Sequence, residues 1–439
     1  MKTIKCAILG FGGRGRGYAN YLKNEENVEF VGIIDPNSYV LQDAKEMLDL
    51  SDDKLFLTLD DFLAKKPACD FIYNATMDPL HYETSKKILN AGYNMLLEKP
   101  ITPNVEELLE IQRLAEKQGC TVLVCHCLRY TPFYRKIKQI IDSGEIGKVM
   151  NLQLNEHVWH GHFVNAFVRG KWRNEEECGS GLLLQKCCHD TDLICWLNNK
   201  TQPTDVASFG SRSFYTPANA PEGSADYCYD CPKKDECIFD AYKFELKLDC
   251  CPRYTYPTSA FPKPLTEVSE EEKREYLKTS VFGKCVYKTD MDIVDKQSVI
   301  VNFADGSTAS LNVVGGASKA GRHIHVICEY GEILGYTGEG KIVYRKFNKE
   351  AVNEKYRGDA YMYTDTEIVP MMEEMESAVD IGHYGGDFFL VKDLLKLLRG
   401  EETSVSLTKL DDSVNSHLVV YAAEKSRLEK KIVSVDEFR

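Results

Sequence analysis

A short apolar run, Ile4 to Leu9, is followed at once by Gly10-Phe11-Gly12-Gly13-Arg14-Gly15 and then by a helical stretch to about Leu22. Few patterns restrict a fold so tightly. In G-x-G-x-x-G, Gly10 allows a tight turn, Gly12 lets the backbone approach a pyrophosphate, and Gly15 lets the helix pack closely on the strand. Amides at the helix start, around Gly13 and Arg14, and the helix dipole then attract the phosphates. A glycine-rich turn alone is common. Here a second apolar run, Val28 to Ile34, ends in Asp35, 20 residues beyond Gly15, where an acceptor for a ribose 2′-hydroxyl belongs. Sequence context, spacing and acid agree on a dinucleotide site. Asp35 repels a 2′-phosphate and so favours NAD over NADP, whereas Arg14 or Arg16 could swing to a phosphate.

The chain continues with helical spacing over residues 38–49, a strand from Asp70 to Ala75, and a helix from His81 to Leu89 that stops at Gly92. A strand from Tyr93 to Leu97, a helix from Val105 to Lys117 closed by Gly119, and a strand from Thr121 to Cys125 follow. Apolar strands alternating with helices predict a parallel sheet covered on both faces. Residues 1–125 therefore read as an N-terminal Rossmann dinucleotide-binding domain. After His126 the texture changes. Val149 to Val158 alternates in polarity, as does Ser298 to Val314 around the turn Ala304-Asp305-Gly306-Ser307, and His323 to Cys328 and Lys341 to Phe347 add short strands. Candidate helices are Phe133 to Ser143, Gly181 to Leu197, Asp387 to Arg399 and Asp411 to Leu428. The whole is an α/β protein whose residues 126–439 form a C-terminal α+β domain for substrate and oligomerisation, with a large open mixed or antiparallel sheet. Residues of about 203–290 fit neither pattern and read as an irregular, cysteine-rich excursion, a lid.

Composition agrees with an enzyme. A length of 439 residues implies two to three domains. With 54 basic against 67 acidic side chains the net charge is −13, which argues against non-specific binding to nucleic acid or to an anionic membrane. No apolar run approaches the roughly 20 residues of a membrane helix. Met1 to Cys6 enters a strand with no export leader, so the chain is expected in the cytoplasm, where its 16 cysteines should be thiols.

Glu98-Lys99-Pro100 closes the strand Tyr93 to Leu97. Around it stand Asn74-Ala75-Thr76 with His81, Arg129-Tyr130-Thr131-Pro132, Gly144-Glu145-Ile146-Gly147, Trp172-Arg173, and a glycine-led helix carrying His189-x-x-Asp192. Gly382-His383-Tyr384-Gly385-Gly386-Asp387 comes near the end. In this order the motifs resemble the Gfo/Idh/MocA family, the sugar and inositol dehydrogenases, over nearly the whole chain. The resemblance implies an active site between the two domains. Asn74, Thr76, His81, Glu98, Lys99 and Trp172 then join the glycine turn and Asp35 at the cofactor, with Lys99 beside nicotinamide and substrate as a proton-transfer or positioning group. A residue before proline is held extended, so Lys99 is aimed. A surface lysine paired with Glu98 is the plainer reading.

Lys186, His189 and Asp190 fall at i, i+3 and i+4 and share one helix face. Removing hydride from a carbinol needs a base for the hydroxyl proton, and His189 or Lys99 suits, with Lys186 assisting. A packed core histidine is the bland alternative. Where the family has an Asp four residues before this His, the chain has Gln185, which can hydrogen-bond a hydroxyl. Arg129, Trp159, Arg173 and His383 complete the candidate substrate residues. His157, His160 and His162 crowd the strand end beside Trp159, and a His160-x-His162 metal pair is the lesser reading there. Finally, Cys228-x-x-Cys231, Cys237 and Cys250-Cys251 lie in the excursion. Cys228, Cys231, Cys237 and Cys250 are candidate ligands of a structural zinc; ordinary buried thiols or an iron–sulfur cluster are the alternatives.

The expected function is an NAD-dependent oxidoreductase acting on a hydroxyl of a sugar, sugar derivative or cyclitol, in a homo-oligomer. An NAD-dependent glycosidase, working by transient oxidation, elimination and re-reduction, uses the same parts. A non-catalytic sugar or NAD sensor is the rival from another class.

Overall fold

The computed structural model describes residues 2–248, 255–257, 260–263, 265–348, 363–368 and 382–439. Its first sheet is built from β1 (Ile4–Leu9), β2 (Val28–Ile34), β3 (Leu55–Phe56), β4 (Phe71–Asn74), β5 (Asn94–Leu97) and β6 (Val122–Val124). All pair in parallel in the order β3-β2-β1-β4-β5-β6. The strands are apolar along most of their length because both sheet faces are covered. On one face Ile4, Cys6 and Ile8 pack with Tyr18 of the helix Gly13–Leu22. Phe389, Leu390 and Leu394 of the late helix Gly386–Arg399 complete that layer. The opposite face, with Ala7, Leu9, Ile72 and Leu97, runs without a break into the core of the second sheet. β3 escapes sequence reading because two residues carry no measurable alternation.

The second sheet contains β7 (Val149–Trp159), β8 (Pro203–Ser211), β9 (Lys296–Phe303), β10 (Thr308–Ala317), β11 (Gly321–Cys328), β12 (Gly331–Tyr336), β13 (Lys341–Phe347), β14 (Tyr363–Ile368) and β15 (Val433–Ser434). Its order is β14-β13-β12-β11-β7-β10-β9-β8-β15. β7 and β10 are parallel, and the other pairs are antiparallel. Along β9 exposed and buried residues alternate strictly, so one face is open. The inner face rests on the helices Leu182–Leu197 and Leu410–Glu429, whose buried residues include Leu193, Ile194, Leu418 and Val419.

The excursion is shorter and more ordered than expected. Its first nine residues are β8, and the charged stretch around Glu267 to Arg274 includes the start of a helix, Glu270–Thr279. That helix opens with a capping box between Ser269 and Glu272, which explains its acidic first turn. No helix among the described residues is long and apolar enough to cross a membrane.

Candidate active site

The glycine turn has the shape a dinucleotide needs. Gly10 adopts φ +87°, and a Cβ there would meet the Ala75 carbonyl oxygen at 2.7 Å; a Cβ on Gly15 would lie 2.0 Å from the Gly10 oxygen. At Gly12 and Gly13 nothing lies within 4 Å of such an atom, which leaves open space against the helix start. The turn therefore fits a pyrophosphate approaching these two residues. Asp35 stands at the end of β2, half-buried, and accepts the Phe11 amide at 2.9 Å and the Asn37 amide at 2.9 Å. It thus fixes the turn. Asn74 accepts the Thr76 hydroxyl at 2.8 Å, and the His81 ring bridges the Pro100 and Thr76 carbonyls at 2.7 and 3.1 Å. These three residues brace the loops after β4 and β5.

Both arginines of the turn are held by carboxylates. Arg14 contacts Glu98 at 2.7 Å and both oxygens of Asp387 at 3.0 and 2.8 Å. Arg16 is ion-paired with Asp43. Arg14 therefore ties the glycine turn to the β5 end and to the returning helix. Burial works against the Glu98 carboxylate, but the Arg14 guanidinium and the Tyr73 hydroxyl outweigh it and hold it below its ordinary range. The same balance, with Arg14 and His383 opposing burial, keeps Asp387 well below the carboxylate range.

Lys99 follows Glu98, and the Lys99–Pro100 peptide is cis. Its Nζ donates to the Gln185 carbonyl at 2.8 Å, one turn before His189 on the helix Leu182–Leu197. His189 is 4% exposed, and neither ring nitrogen has a hydrogen-bond partner. Burial, then the charge of Lys99, pushes its imidazole well below the usual histidine range, so it is neutral at pH 7. A neutral ring with free nitrogens beside a lysine cation can receive a hydroxyl.

His189 belongs to a column of four rings. His417, His126, His189 and His383 follow one another with centroid separations of 5.5, 5.9 and 5.5 Å. At one end the Ile101 amide donates to His417 Nε2 at 3.0 Å; at the other, His383 Nδ1 lies 2.8 Å from Asp387. His383 and Tyr384 both have positive φ, 48° and 55°, a conformation that costs a non-glycine residue on the order of 1 kcal/mol or more and clusters at functional sites. Cys127 completes a triad with His189 and His383 whose donor atoms lie within 4.8 Å of one another.

Other candidates stand around this centre. His162, pushed by burial to about 3, feels Lys186, Lys99 and His383. Lys186 pairs with Glu156 at 3.4 Å, and Arg322 bridges Glu156 and Asp190 at 2.9 and 2.7 Å. Asp190 therefore positions this network. Gln185 is buried and contributes its carbonyl to Lys99. Trp172 lies under the Lys171 ammonium, 4.3 Å from its ring centre, and Trp159 and His160 pack toward Phe244 of the excursion. His157 faces His323 on the sheet. Two of the candidate substrate residues are held in ion pairs with neighbouring acids. Arg129 is 2% exposed and grips Asp192 at 2.6 and 2.5 Å; Arg173 is bound to Asp290 at 2.9 Å and Glu177 at 3.2 Å. Sequence reading gave no role to His126, His417, Cys127, Arg322, Glu156 or Asp387. Asp387 was visible inside its motif, but the others are single residues in apolar or alternating runs.

Residues 4–126 match an oxidoreductase family with an NAD-binding Rossmann fold, and residues 134–229 match the GFO/IDH/MocA C-terminal domain. The chain belongs to the Gfo/Idh/MocA family. This oxidoreductase carries an NAD(P)-binding Rossmann domain and a second, mixed sheet. It is 24% identical to YteT of Bacillus subtilis over 334 residues, 74% of this chain and 72% of that protein. It is 30% identical to D-xylose dehydrogenase of Paenarthrobacter nicotinovorans over 131 residues, 29% of this chain and 34% of the relative. The fold is similar to that of a levoglucosan dehydrogenase solved with NADH and levoglucosan, with a TM-score of 0.67 at 14% identity, covering 98% of this chain and 99% of that one.

The buried histidines make stability depend on acid. Burial pushes His417 to about 3 and lowers His189 well below its ordinary value, whereas both rings titrate at about 6.5 when unfolded. The unfolded chain therefore binds more protons below that pH. Stability is whole above it and is lost as pH falls. The His417 ring alone removes about 2 kcal/mol between pH 7 and pH 5, and His189 acts in the same direction. Asp190, raised by burial, acts in the opposite direction. Urea midpoints at pH 7, 6 and 5 should fall steadily, and a flat series would mean that both rings accept protons within the fold.

Proposed function

We propose that the protein oxidises a hydroxyl-bearing carbon of a sugar, sugar derivative or cyclitol with NAD as acceptor. The observation that carries this reading is the meeting of Lys99, from the end of β5, with the helix of His189 through the Gln185 carbonyl. When bound, NAD supplies the hydride acceptor. The chain supplies the rest. Lys99 donates to the substrate hydroxyl oxygen and stabilises its developing negative charge. His189, neutral and without a partner, accepts the hydroxyl proton as the carbinol becomes a carbonyl. His383, next in the column and held by Asp387, lies at the more open end of the column. Asp35 at the end of β2 supports NAD over NADP. The names of the D-xylose and levoglucosan dehydrogenases are consistent with a carbohydrate substrate.

The test mixes the full-length protein with NAD or NADP and a panel of free sugars, inositols and aryl glycosides, following reduced cofactor and aglycone together. Reduced NAD without aglycone is the expected result. Aglycone release without net reduction would move the protein to the glycosidases, and binding without turnover would make it a sensor. The open outer face of the second sheet, where Phe209, Ile300 and Val314 are exposed, supports a homo-oligomer. Light scattering that gives the mass of one chain would refute that.

A further inference from the structure

The excursion after β8 has little core of its own. Its separate buried cluster is Tyr256, Phe261 and Val268, while Phe239 and Val286 belong to the main core. Yet its middle is organised around one pocket lined by four thiols, Cys228, Cys231, Cys237 and Cys285. Cys250, the fourth ligand expected from spacing, lies outside the described residues. The backbone explains how the distant Cys285 arrives. Tyr227 and Lys284 form an antiparallel bridge, with the Cys228 amide donating to the Gly283 carbonyl and the Cys285 amide to that of Asp226, both at 2.8 Å. Cys228 and Cys285 thus sit side by side on adjoining segments. The Cys231 amide turns back to the Cys228 carbonyl at 3.4 Å, and the Cys237 amide to that of Lys234 at 3.3 Å.

We propose that Cys228, Cys231, Cys237 and Cys285 hold a structural zinc ion. An all-thiolate tetrahedral set is a zinc environment, and a segment with little core gains most from such a clip. Four thiols lose their protons on binding, leaving a net charge of −2 on the ion and its ligands. Cations are in place for that charge. Arg169, fully buried, points Nη2 at the Cys228 sulfur at 3.5 Å, and Lys233 and Lys234 line the pocket. The sulfurs stand farther apart than ligands on one ion, since the donor set within 4.8 Å among the described residues is the cleft triad of Cys127, His189 and His383. Binding therefore draws the four together. The cleft triad is the poorer metal site, because Arg14 and Lys99 flank it.

The clip would brace the cleft wall. Arg169 also donates to the Lys284 carbonyl at 2.9 Å and the Phe239 carbonyl at 2.8 Å, and the Phe239 ring packs 6.4 Å from His160. The segment from Trp159 to Arg173, which carries His162 and Trp172, is thereby tied to the thiol pocket.

Zinc and iron are measured by plasma mass spectrometry on the full-length chain purified without chelating resin. The expected content is about one zinc per chain. Cys285→Ser should lower it at least tenfold, whereas Cys250→Ser should not. In the unaltered protein, alkylation mapping should show the four thiols protected until a zinc chelator is added, a readout that does not depend on the variant folding. Absence of zinc after dialysis against zinc chloride, with the four thiols alkylated equally before and after chelator, would overturn the proposal. So would metal loss in Cys250→Ser with Cys285→Ser unaffected. Iron with visible charge-transfer bands in place of zinc would overturn the choice of metal.

Discussion

Lys99→Ala is expected to lower kcat by about 10²- to 10⁴-fold while the protein stays folded and binds NAD. The ammonium reaches across from the end of β5 to the helix of His189 and is half-buried there. Its loss removes the donor that steadies a developing alkoxide, a contribution made mainly in the transition state, so kcat should fall more than KM rises. The fold should tolerate the change. The Gln185 carbonyl lies inside a helix and keeps its backbone partner, and Glu98 retains Arg14 and Tyr73. Lys99→Arg should not restore the rate, because a planar guanidinium cannot replace a compact ammonium at a single oxygen. Steady-state kinetics on whichever substrate gives turnover, with cofactor binding followed by fluorescence, separates the effects. A variant that kept a third of kcat would make Lys99 a structural tether to Gln185.

The parts of this architecture that were legible are those where local chemistry and tertiary role coincide. The glycine turn reads correctly because Gly10 needs a positive φ and Gly15 has no room for a Cβ, both backbone demands that the sequence must meet. The helix after Arg129 reads correctly because Thr131 caps it through the Tyr134 amide and Pro132 occupies its first turn. What was missed depends on residues far apart in sequence. The four-ring column joins His126, His189, His383 and His417, and no window along the chain contains them together. Arg14 looked available for phosphate until Asp387, from the far end of the chain, was seen to hold it. Cys285 was passed over because it lies outside the segment in which spacing was counted.

Arg129 gives the second large effect, and it separates the family resemblance from the geometry. Arg129→Ala should destabilise the protein by about 3–5 kcal/mol, because it strands the Asp192 carboxylate in the interior. Both side chains are almost fully buried, at 2% and 1% exposed, and joined through two hydrogen bonds. Burial alone would raise the Asp192 carboxyl, but Arg129 and then His126 hold it at about 2. Without the guanidinium, the His126 ring at 2.9 Å is the remaining partner among the described residues that can carry a positive charge. Replacing both members by apolar residues, Arg129→Met with Asp192→Leu, should recover much of the loss, because no charge is then left without a partner. Urea unfolding of the two single variants and the double completes the cycle. A substrate role for Arg129 would give the reverse pattern, with KM raised in Arg129→Ala while the unfolding midpoint stays where it was. With the guanidinium occupied by Asp192, the midpoint should fall and KM of the folded fraction should hold.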